Sequence, residues 1–444
     1  MPSPITSSHP HSPWTSELRH THSADPPGQP PDPPLLLSHL SLLPRPLQSP
    51  SSSSAHILLL GGGVSSLMTS WHLLDRGYRV TILSTSWSTS TSRAVVPGAG
   101  HGSLSKPITS QIAAALWEYP PGGCGLTEIE TKDDVYSDVA TYRRWALESF
   151  RFYQELAELP QGGEFGVMMR ELVQFFMGEL GKNEEKREEI TGLGIGYEGF
   201  DEKGIKRVIK ELGVGGDIAE KVKKGYRHKS PVVDSDQAMR FLMELVEGKG
   251  GRLVAREVTS LEEARREYAA DVVVNCTGLS SATLVRDESV YPVRGAVIRV
   301  VNKDRGSFRK VTEAMLVPSQ ETEGFEGVIL IVPRSENTLQ VGSIVQENEW
   351  ELDLTMESPE VKEMWDRAVR FLPGLKDAQI EGLAQGLRPF SRKNVRVKRE
   401  GWMVHNYGHG GSGWTLAVGC AKEAAGLVEE VIRENKERDN RAKL

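Results

Sequence analysis

The chain has 444 residues, a formal net charge of −7 and three cysteines, Cys124, Cys276 and Cys420. This length predicts more than one domain, and the mixed charges give no basic surface of the kind that binds nucleic acid. The odd number and wide spacing of the cysteines do not support a disulfide framework or a structural zinc site.

The first 54 residues differ in composition from the rest, because they hold 13 of the 25 prolines. Proline removes backbone donors and serine buries little apolar surface, so such a segment does not repay the entropy lost on ordering. We therefore predict that residues 1–54 are disordered and dispensable, with a targeting segment as the alternative. No run of 18 apolar residues follows, so no membrane-spanning segment is expected.

A strand, a glycine turn, a helix and a second strand open the body of the chain. Residues 55–60 form a short apolar run, and Gly61, Gly62 and Gly63 follow it. Apolar residues then recur at helical spacing, and residues 78–84 are typical of the next strand. This arrangement predicts a dinucleotide site, in which Gly63 admits a pyrophosphate to the N-terminus of the helix. A structural tight turn is the alternative.

The turn departs from the dinucleotide-binding pattern at two places. Ser66 replaces the third glycine, which is a mild change because serine is small. Ser84, Thr85 and Ser86 stand where the pattern has an acidic residue that binds the ribose. Hydroxyl groups bind a ribose more weakly than a carboxylate does, so a weaker hold on the cofactor is expected.

The middle of the chain supplies helices and the strands of a second domain. Residues 86–107 are predicted to form a long loop, and residues 139–159 a helix whose aromatic stripe indicates core packing rather than a cofactor site. A second helix is predicted at residues 237–248. Strands are predicted at residues 271–279, 295–301, 328–333 and 339–345, the last two as a hairpin. Because these strands are interleaved with the nucleotide-binding segments, the second domain is expected to be discontinuous and built on an antiparallel sheet.

Two further segments carry backbone features that suit a ligand. Thr277 and Gly278 end a buried strand, and this pattern fits either close approach to a ligand or a simple strand exit. Residues 405–415 (HNYGHGGSGWT) hold four glycines in six positions before another helix, which predicts a second anion site. Two such sites suit a flavin dinucleotide. His405 and His409 are four residues apart, but glycines surround them, so no metal site is expected.

Five blocks of the sequence resemble the D-amino-acid oxidase family of FAD enzymes, which includes D-aspartate oxidase. They lie at residues 61–66, 109–117, 271–279, 386–389 and 404–425. The resemblance implies an α/β fold, with a Rossmann-like FAD-binding domain and an interleaved α+β substrate domain built on an antiparallel sheet. The FAD-binding domain would comprise about 55–120, 230–290 and 380–434, the substrate domain about 121–229 and 291–379, and residues 435–444 would be an exposed tail.

The resemblance also implies which residues bind substrate and cofactor. Arg388 would clamp the substrate α-carboxylate with both guanidinium nitrogens, and Gly411 and Ser412 would lie beside the substrate. Contacts to FAD are expected at Gly61, Gly62, Gly63, Val64, Ser65, Thr109, Ser110, Ala115, Val258, Thr277, Gly278, Gly410, Gly411, Gly413 and Thr415.

The implied reaction is oxidation of D-amino acids by O₂ to 2-oxo acids, ammonia and hydrogen peroxide, by hydride transfer to flavin N5. Such a transfer needs orientation by Arg388 and no side-chain acid or base. Leu330 and Glu326 replace tyrosines that the family places over the substrate. Ile344 and Val345 stand where D-aspartate oxidases have an additional arginine, which disfavours an acidic substrate. Oxidation of glycine or N-methyl amino acids, and flavin binding without turnover, are the alternatives.

The chain ends in Ala442, Lys443 and Leu444, a close variant of a peroxisomal address. We therefore expect recognition by a peroxisomal import receptor, localisation in the peroxisome and an exposed, frayed tail. The oligomeric state is open, with a homodimer as one expectation.

Overall fold

The computed structural model describes residues 36–37, 39–88, 108–120, 129–130, 132–178, 183–319 and 327–442. Residues from 36 onward form one compact unit that contains two large sheets. The strands, in chain order, are β1 (Leu36–Leu37), β2 (Leu40–Ser41), β3 (His56–Leu60), β4 (Arg79–Ser84), β5 (Val167–Phe176), β6 (Glu198–Phe200), β7 (Lys224–Val233), β8 (Arg252–Ala255), β9 (Val272–Asn275), β10 (Val290–Val301), β11 (Ala314–Val317), β12 (Ile329–Pro333), β13 (Thr338–Gly342), β14 (Gln346–Glu347), β15 (Ile380–Ser391), β16 (Arg396–Glu400) and β17 (Met403–Tyr407).

The helices lie on both sides of these sheets and are numbered separately. In chain order they are α1 (Val64–Asp75), α2 (Thr109–Ile112), α3 (Val139–Ala157), α4 (Pro160–Phe165), α5 (Asn183–Gly192), α6 (Glu202–Glu211), α7 (Gly216–Lys221), α8 (Ser235–Gly248), α9 (Leu261–Glu267), α10 (Ser281–Leu284), α11 (Pro359–Phe371) and α12 (Gly413–Ala442). No helix among the described residues is long and apolar enough to span a bilayer.

The first sheet has six strands in the order β16-β17-β9-β3-β4-β8. Its central pairs are parallel, and only β16 runs antiparallel to its neighbour. The apolar runs of β3 and β9 are buried because helices cover both faces of a parallel sheet. Helix α12 packs against α1 and α3 on one side of this sheet. The predicted βαβ unit at residues 55–84 is thus confirmed.

The second sheet has nine strands and is antiparallel except where β11 pairs with β5. The predicted hairpin is confirmed, with β12 and β13 paired from Leu330↔Gly342 to Pro333↔Leu339. One face of the sheet packs against α6, α7 and α11 in a large apolar core. The other face carries Leu330 and Arg388, and we call it the substrate face.

The boundary predicted at residue 380 is wrong. Strand β15 pairs with β10 in the second sheet, from Val290↔Ser391 to Val300↔Ile380. Arg388 therefore belongs to the substrate sheet, and the first sheet resumes only with β16. Strand β15 belongs to the second sheet because its pairing with β10 extends along nearly all of both strands.

The prediction of disorder for residues 1–54 is wrong for residues 39–54, which pack onto the first sheet's helices. Leu40 is buried, and the Asp75 carboxylate at the end of α1 accepts hydrogen bonds from the backbone N–H of Ser41 (2.7 Å) and Leu47 (3.1 Å). We call residues 39–54 the N-terminal arm. Residues 1–35 and residue 38 lie outside the described residues.

A buried ion pair lies beneath the N-terminal arm. Lys249 Nζ is 2.7 Å from Asp75 Oδ1, and both side chains are at most 1% exposed. Lys249 also donates to the carbonyl oxygen of Arg45, at 3.0 Å. A buried charge needs hydrogen-bond partners, and the backbone of this proline-rich arm provides them.

The described part of the predicted C-terminal tail, residues 435–442, is helical rather than frayed. Helix α12 continues without a break to Ala442, and residues 436–441 on it are exposed. Lys443 and Leu444 lie outside the described residues, as do Cys124, Glu326 and most of the loop predicted at residues 86–107.

Candidate cofactor and substrate site

The first glycine turn leaves no room for side chains. Gly61 has φ = +110°, and a Cβ atom there would lie 2.4 Å from the carbonyl oxygen of Cys276. At Gly62 a Cβ atom would lie 2.5 Å from the carbonyl oxygen of Ser86. The turn therefore requires glycine at both positions, and it passes directly beside the end of β9.

The N-terminus of α1 is open to an anion. Gly63 is its N-cap residue and has no side chain to cap the helix, and the first turn contains no acidic residue. The Val64 N–H donates to Ser110 Oγ at 3.1 Å. Ser66 is fully buried, and its hydroxyl has no partner among the described residues. Free N–H groups and the helix dipole at this end, near Ser65, suit the pyrophosphate of FAD.

Ser84, which stands where an acidic ribose-binding residue was expected, already makes hydrogen bonds within the protein. Ser84 Oγ donates to the carbonyl oxygen of Ser86 at 2.7 Å, and the Ser84 carbonyl accepts from the Arg256 N–H at 2.9 Å. Val258 follows on the same edge of the sheet, half-buried against the apolar cluster around Leu83. This edge therefore offers FAD backbone and apolar contacts rather than a carboxylate.

Helix α2 joins the two sheets at the site. Thr109 Oγ1 donates to the carbonyl oxygen of Leu387 on β15 at 2.7 Å, and Trp414 Nε1 donates to that of Ser110 at 2.9 Å. Ala115 has φ = +50°, and its carbonyl oxygen accepts from the Val233 N–H on β7. The segment expected to line the flavin is thus held against both the substrate sheet and α12.

Thr277 and Gly278 follow β9 beside the glycine turn. The Thr277 hydroxyl donates to Asn275 Oδ1 at 2.7 Å, and Gly278 has φ = +57°. A Cβ atom at Gly278 would lie 3.5 Å from the Pro389 side chain, which is ordinary contact. These contacts are also those of a simple strand end. They nevertheless place Thr277 and Gly278 beside both Gly61 and the strand that carries Arg388.

The second glycine loop lies against β15. The Gly410 N–H donates to the carbonyl oxygen of Pro389 at 2.8 Å, and Gly410 has φ = +53°. Gly411 is exposed, whereas Ser412 and Thr415 are buried. A Cβ atom at Gly413 would meet nothing within 4 Å, so space lies open at the N-terminus of α12, whose first turn has no acidic residue. This second helix N-terminus suits a negatively charged flavin ring.

The two histidines of residues 405–415 have different hydrogen-bond surroundings. His405 Nε2 is 3.0 Å from Glu400, whereas His409 Nε2 is buried with no partner among the described residues. Burial lowers the pKa of each imidazole to about 4, so both rings are neutral near pH 7. The described part of the chain contains no group of three His, Cys, Asp or Glu side chains that could hold a metal ion.

Two hydrogen bonds orient Arg388 on the substrate face. Its Nη2 donates to Ser343 Oγ at 2.7 Å and its Nη1 to the carbonyl oxygen of Ile344 at 3.1 Å. The guanidinium lies over Gly295, where a Cβ atom would be 2.4 Å from Arg388 Cζ. Neither of these two acceptors carries a charge. The next residue, Pro389, binds the second glycine loop through its carbonyl oxygen.

The wall of the substrate face around Leu330 is apolar. Leu330 is buried among Leu316, Val332 and other apolar side chains of the substrate face, and Leu116 packs against the same cluster. Ile344 packs into the core on the opposite face of the sheet. The replacement of tyrosine by Leu330 therefore removes a hydroxyl group from this wall.

Sequence reasoning missed a polar group at the far end of this wall. The Glu118 carboxylate is buried and accepts a hydrogen bond from Gln174 Nε2 at 2.8 Å. Gln174 Oε1 in turn accepts from the Tyr226 hydroxyl at 2.5 Å. The only sequence signal was the glutamate that follows the apolar run 112–117.

The sites expected from the sequence thus converge. Both glycine loops, Thr109, Ser110 and Thr277 lie where the two sheets meet, and Arg388 lies on the substrate face beside them. Ala115 enters the same region from the segment that leads to Glu118, whereas Val258 lies at the outer edge beside Ser84. The open helix ends and the absence of acidic groups in their first turns fit FAD.

Comparison with known proteins agrees with this geometry. A family model described as FAD dependent oxidoreductase (DAO) matches residues 56–427. The chain is 31% identical over 379 residues to a D-amino-acid oxidase of Rubrobacter xylanophilus, covering 84% of this chain and 96% of that relative. It is 32% identical over 378 residues to a D-amino-acid oxidase of Streptomyces coelicolor, again covering 84% and 96%. The solved structure of a glycine oxidase from Bacillus cereus superposes with a TM-score of 0.62 at 17% identity, covering 85% of this chain and 98% of that chain.

Proposed function

Since this chain belongs to the D-amino-acid oxidase family of FAD-dependent oxidoreductases, we propose that it oxidises D-amino acids with O₂. The products are a 2-oxo acid, ammonia and hydrogen peroxide, with one water consumed. The observation that carries the proposal is Arg388, whose charged guanidinium is held on the substrate face beside the second glycine loop.

Residues of this chain supply binding, orientation and electrostatic stabilisation. Arg388 binds the α-carboxylate and so fixes the direction in which Cα faces the cofactor. FAD, when bound, would supply the hydride acceptor and the transfer of electrons to O₂. Gly61, Gly62 and Gly63 would hold its pyrophosphate at the N-terminus of α1. The N-terminus of α12, at Gly413, would stabilise negative charge on the flavin ring.

The test is a peroxide assay of the purified, FAD-supplemented protein against D- and L-amino acids, glycine and sarcosine. We expect peroxide from D-amino acids and not from their L-enantiomers. Flavin absorbance bands near roughly 370 and 450 nm report whether the cofactor is bound. A flavin-loaded protein that no D-amino acid reduces under anaerobic conditions would overturn the proposal.

We also propose that the protein is imported into peroxisomes through Ala442, Lys443 and Leu444, where catalase removes the peroxide. The exposed last turns of α12 support access by an import receptor. A fluorescent fusion that keeps this tripeptide at its C-terminus should give puncta that overlap a peroxisomal marker. A fusion without the tripeptide should stay diffuse, and puncta in both cases would contradict the proposal.

A further inference from the structure

We propose that Trp414 is a positioning residue that keeps the two anion-binding helix ends, those of α1 and α12, at the spacing that FAD requires. Its indole would do so by binding Ser110, a residue that contacts both helix ends. Trp414 lies between Gly413 and Thr415, which are expected to contact the flavin, but its side chain has had no role so far. The inference concerns how the cofactor is held, so it does not depend on the proposed oxidation of D-amino acids.

The first step is the contact between Ser110 and the N-terminus of α1. The Ser110 hydroxyl accepts a hydrogen bond from the Val64 N–H at 3.1 Å. A Cβ atom at Gly63, the N-cap residue, would lie 3.2 Å from the same hydroxyl oxygen. A hydroxyl that accepts one hydrogen bond can still donate another. Ser110 is therefore able to donate to a phosphate group held at this helix end.

The second step is the contact between Ser110 and the N-terminus of α12. Trp414 is the second residue of α12, and its side chain is buried. Its Nε1 donates to the Ser110 carbonyl oxygen at 2.9 Å. The carbonyl oxygen of Trp414 accepts a hydrogen bond from the Tyr153 hydroxyl on α3, at 3.0 Å. Trp414 is thus joined to α3 through its backbone and to α2 through its indole.

The third step is that these contacts form a closed set around the strand that carries Arg388. Thr109 on α2 donates to the carbonyl oxygen of the residue before Arg388. The Gly410 N–H in the second glycine loop donates to that of the residue after it. The indole of Trp414 then joins the helix that follows this loop directly to α2. Each of the three segments therefore contacts the other two, which preorganises their relative positions.

The fourth step is the chemistry of the ligand. FAD carries its pyrophosphate and its flavin ring in one molecule, and each would lie at a different helix N-terminus. A ligand that binds at two points gains affinity from the second point only if the two sites have the matching spacing. ADP has the adenosine and the pyrophosphate but lacks the ring, so its affinity does not depend on that spacing. The two ligands therefore separate the positioning role of Trp414 from a general effect on the fold.

The test is titration calorimetry of the full-length protein, freed of bound flavin, with FAD and with ADP. Trp414→Phe keeps an aromatic ring and removes the N–H that binds Ser110. We expect this variant to raise the Kd for FAD about tenfold, as for a lost hydrogen bond, and to leave the Kd for ADP unchanged. Trp145→Phe is the matched control, because it also removes an indole N–H, which donates to Glu423 on α12 at 2.7 Å. It should change neither Kd.

A second variant tests the same role from the other side of Trp414. Tyr153→Phe removes the hydroxyl that binds the Trp414 carbonyl oxygen and leaves the indole in place. It should also raise the Kd for FAD relative to that for ADP, by about threefold, and it decides the question if Trp414→Phe does not fold. An unchanged ratio of the two Kd values in the variants that fold would overturn the inference. Equal weakening of FAD and ADP would overturn it as well, because Trp414 would then support the fold as a whole.

Discussion

Arg388 illustrates how a single side chain is oriented for binding by the hydrogen bonds that it already makes within the protein. Ser343 and the Ile344 carbonyl fix two of its nitrogens, and Gly295 provides the space above which the guanidinium lies flat. A carboxylate arriving at this group finds a fork already oriented, so little side-chain entropy is lost on binding. Lysine has a point charge and lacks this fork.

The first prediction follows from that geometry. Arg388→Lys should lower kcat/KM for D-amino acids by about 100-fold or more, because an ammonium cannot hold the carboxylate with two parallel hydrogen bonds. Steady-state peroxide assays give kcat/KM, and flavin absorbance shows that the cofactor still binds. Arg392→Lys is the matched control, since Arg392 stacks on the Tyr291 ring at 4.3 Å. A loss of equal size in both variants would contradict the role given to Arg388.

At this scale the sequence predicted residues that sit in recognisable local patterns. Gly61 to Gly63 and the glycines at 408–413 belong to short motifs whose backbone chemistry can be inferred without tertiary contacts. The role of Arg388 was implied by the resemblance of residues 386–389 to the family. Glu118 and Gln174 are 56 residues apart and meet only because β5 passes beneath the segment after α2. A contact of that kind has no local signature.

The N-terminal arm makes packing and hydrogen-bond contacts that the composition of residues 1–54 did not indicate. Its backbone N–H groups at Ser41 and Leu47 bind Asp75, and its carbonyl at Arg45 binds Lys249. The Trp71 indole N–H also donates to the Ser41 carbonyl, at 3.0 Å. The arm thus holds the end of α1 and the end of α8 together.

The second prediction is that removing residues 1–54 destabilises the protein. Loss of the arm leaves the buried Asp75 and Lys249 with fewer partners, and each unsatisfied buried group costs about 1–3 kcal/mol. We expect a fall of several degrees in Tm, measured by thermal unfolding with FAD present. Removal of residues 1–38 alone keeps these contacts and serves as the control. Equal Tm values for the two shortened proteins would show that the arm adds no stability.

Elements with strong periodicity were predicted well, whereas others were not. The helix of residues 139–159 is α3, and its stripe of Tyr142, Trp145 and Phe152 is buried as expected. Strands β5 and β7 were missed because each carries charged residues on its more exposed parts, which hides the alternation. The arm was predicted to be disordered because proline and serine counts do not reveal that a distant buried ion pair needs backbone partners.

For the molecule as a whole, three buried histidines tie stability to pH. Burial lowers the pKa of His72 to about 3 and of His405 and His409 to about 4. The unfolded chain therefore binds more protons than the folded chain between about pH 4 and 6.5, and stability falls as the pH decreases through this range. Each histidine contributes about 2 kcal/mol of loss between pH 7 and 5.

The third prediction isolates one of these groups. His72 lies on α1 away from the substrate face, so His72→Gln removes its titration without touching Arg388 or Glu118. The free energy of unfolding in urea should fall less between pH 7 and 5 in this variant than in the unmodified protein, by about 2 kcal/mol. Equal losses in the two proteins would show that His72 does not drive the acid response.

The arrangement of the two sheets was predictable only in part at this scale. Interleaving of the strand predictions indicated two domains of different kinds, and the structure has a parallel and a mainly antiparallel sheet. The domain bounds implied by the resemblance placed β15 with the FAD-binding domain, although Arg388 on this strand was expected to bind the substrate. The long pairing of β15 with β10 shows that β15 belongs to the second sheet.

The length of helix α12 sets how far the C-terminal residues lie from the second glycine loop. It runs without interruption for 30 residues from Gly413, so at 1.5 Å per residue its two ends are about 45 Å apart. An import receptor bound to the last residues would therefore be separated from the second glycine loop by the length of a continuous helix. Under the import proposed above, FAD would bind before the receptor does, and the folded protein would be carried without unfolding.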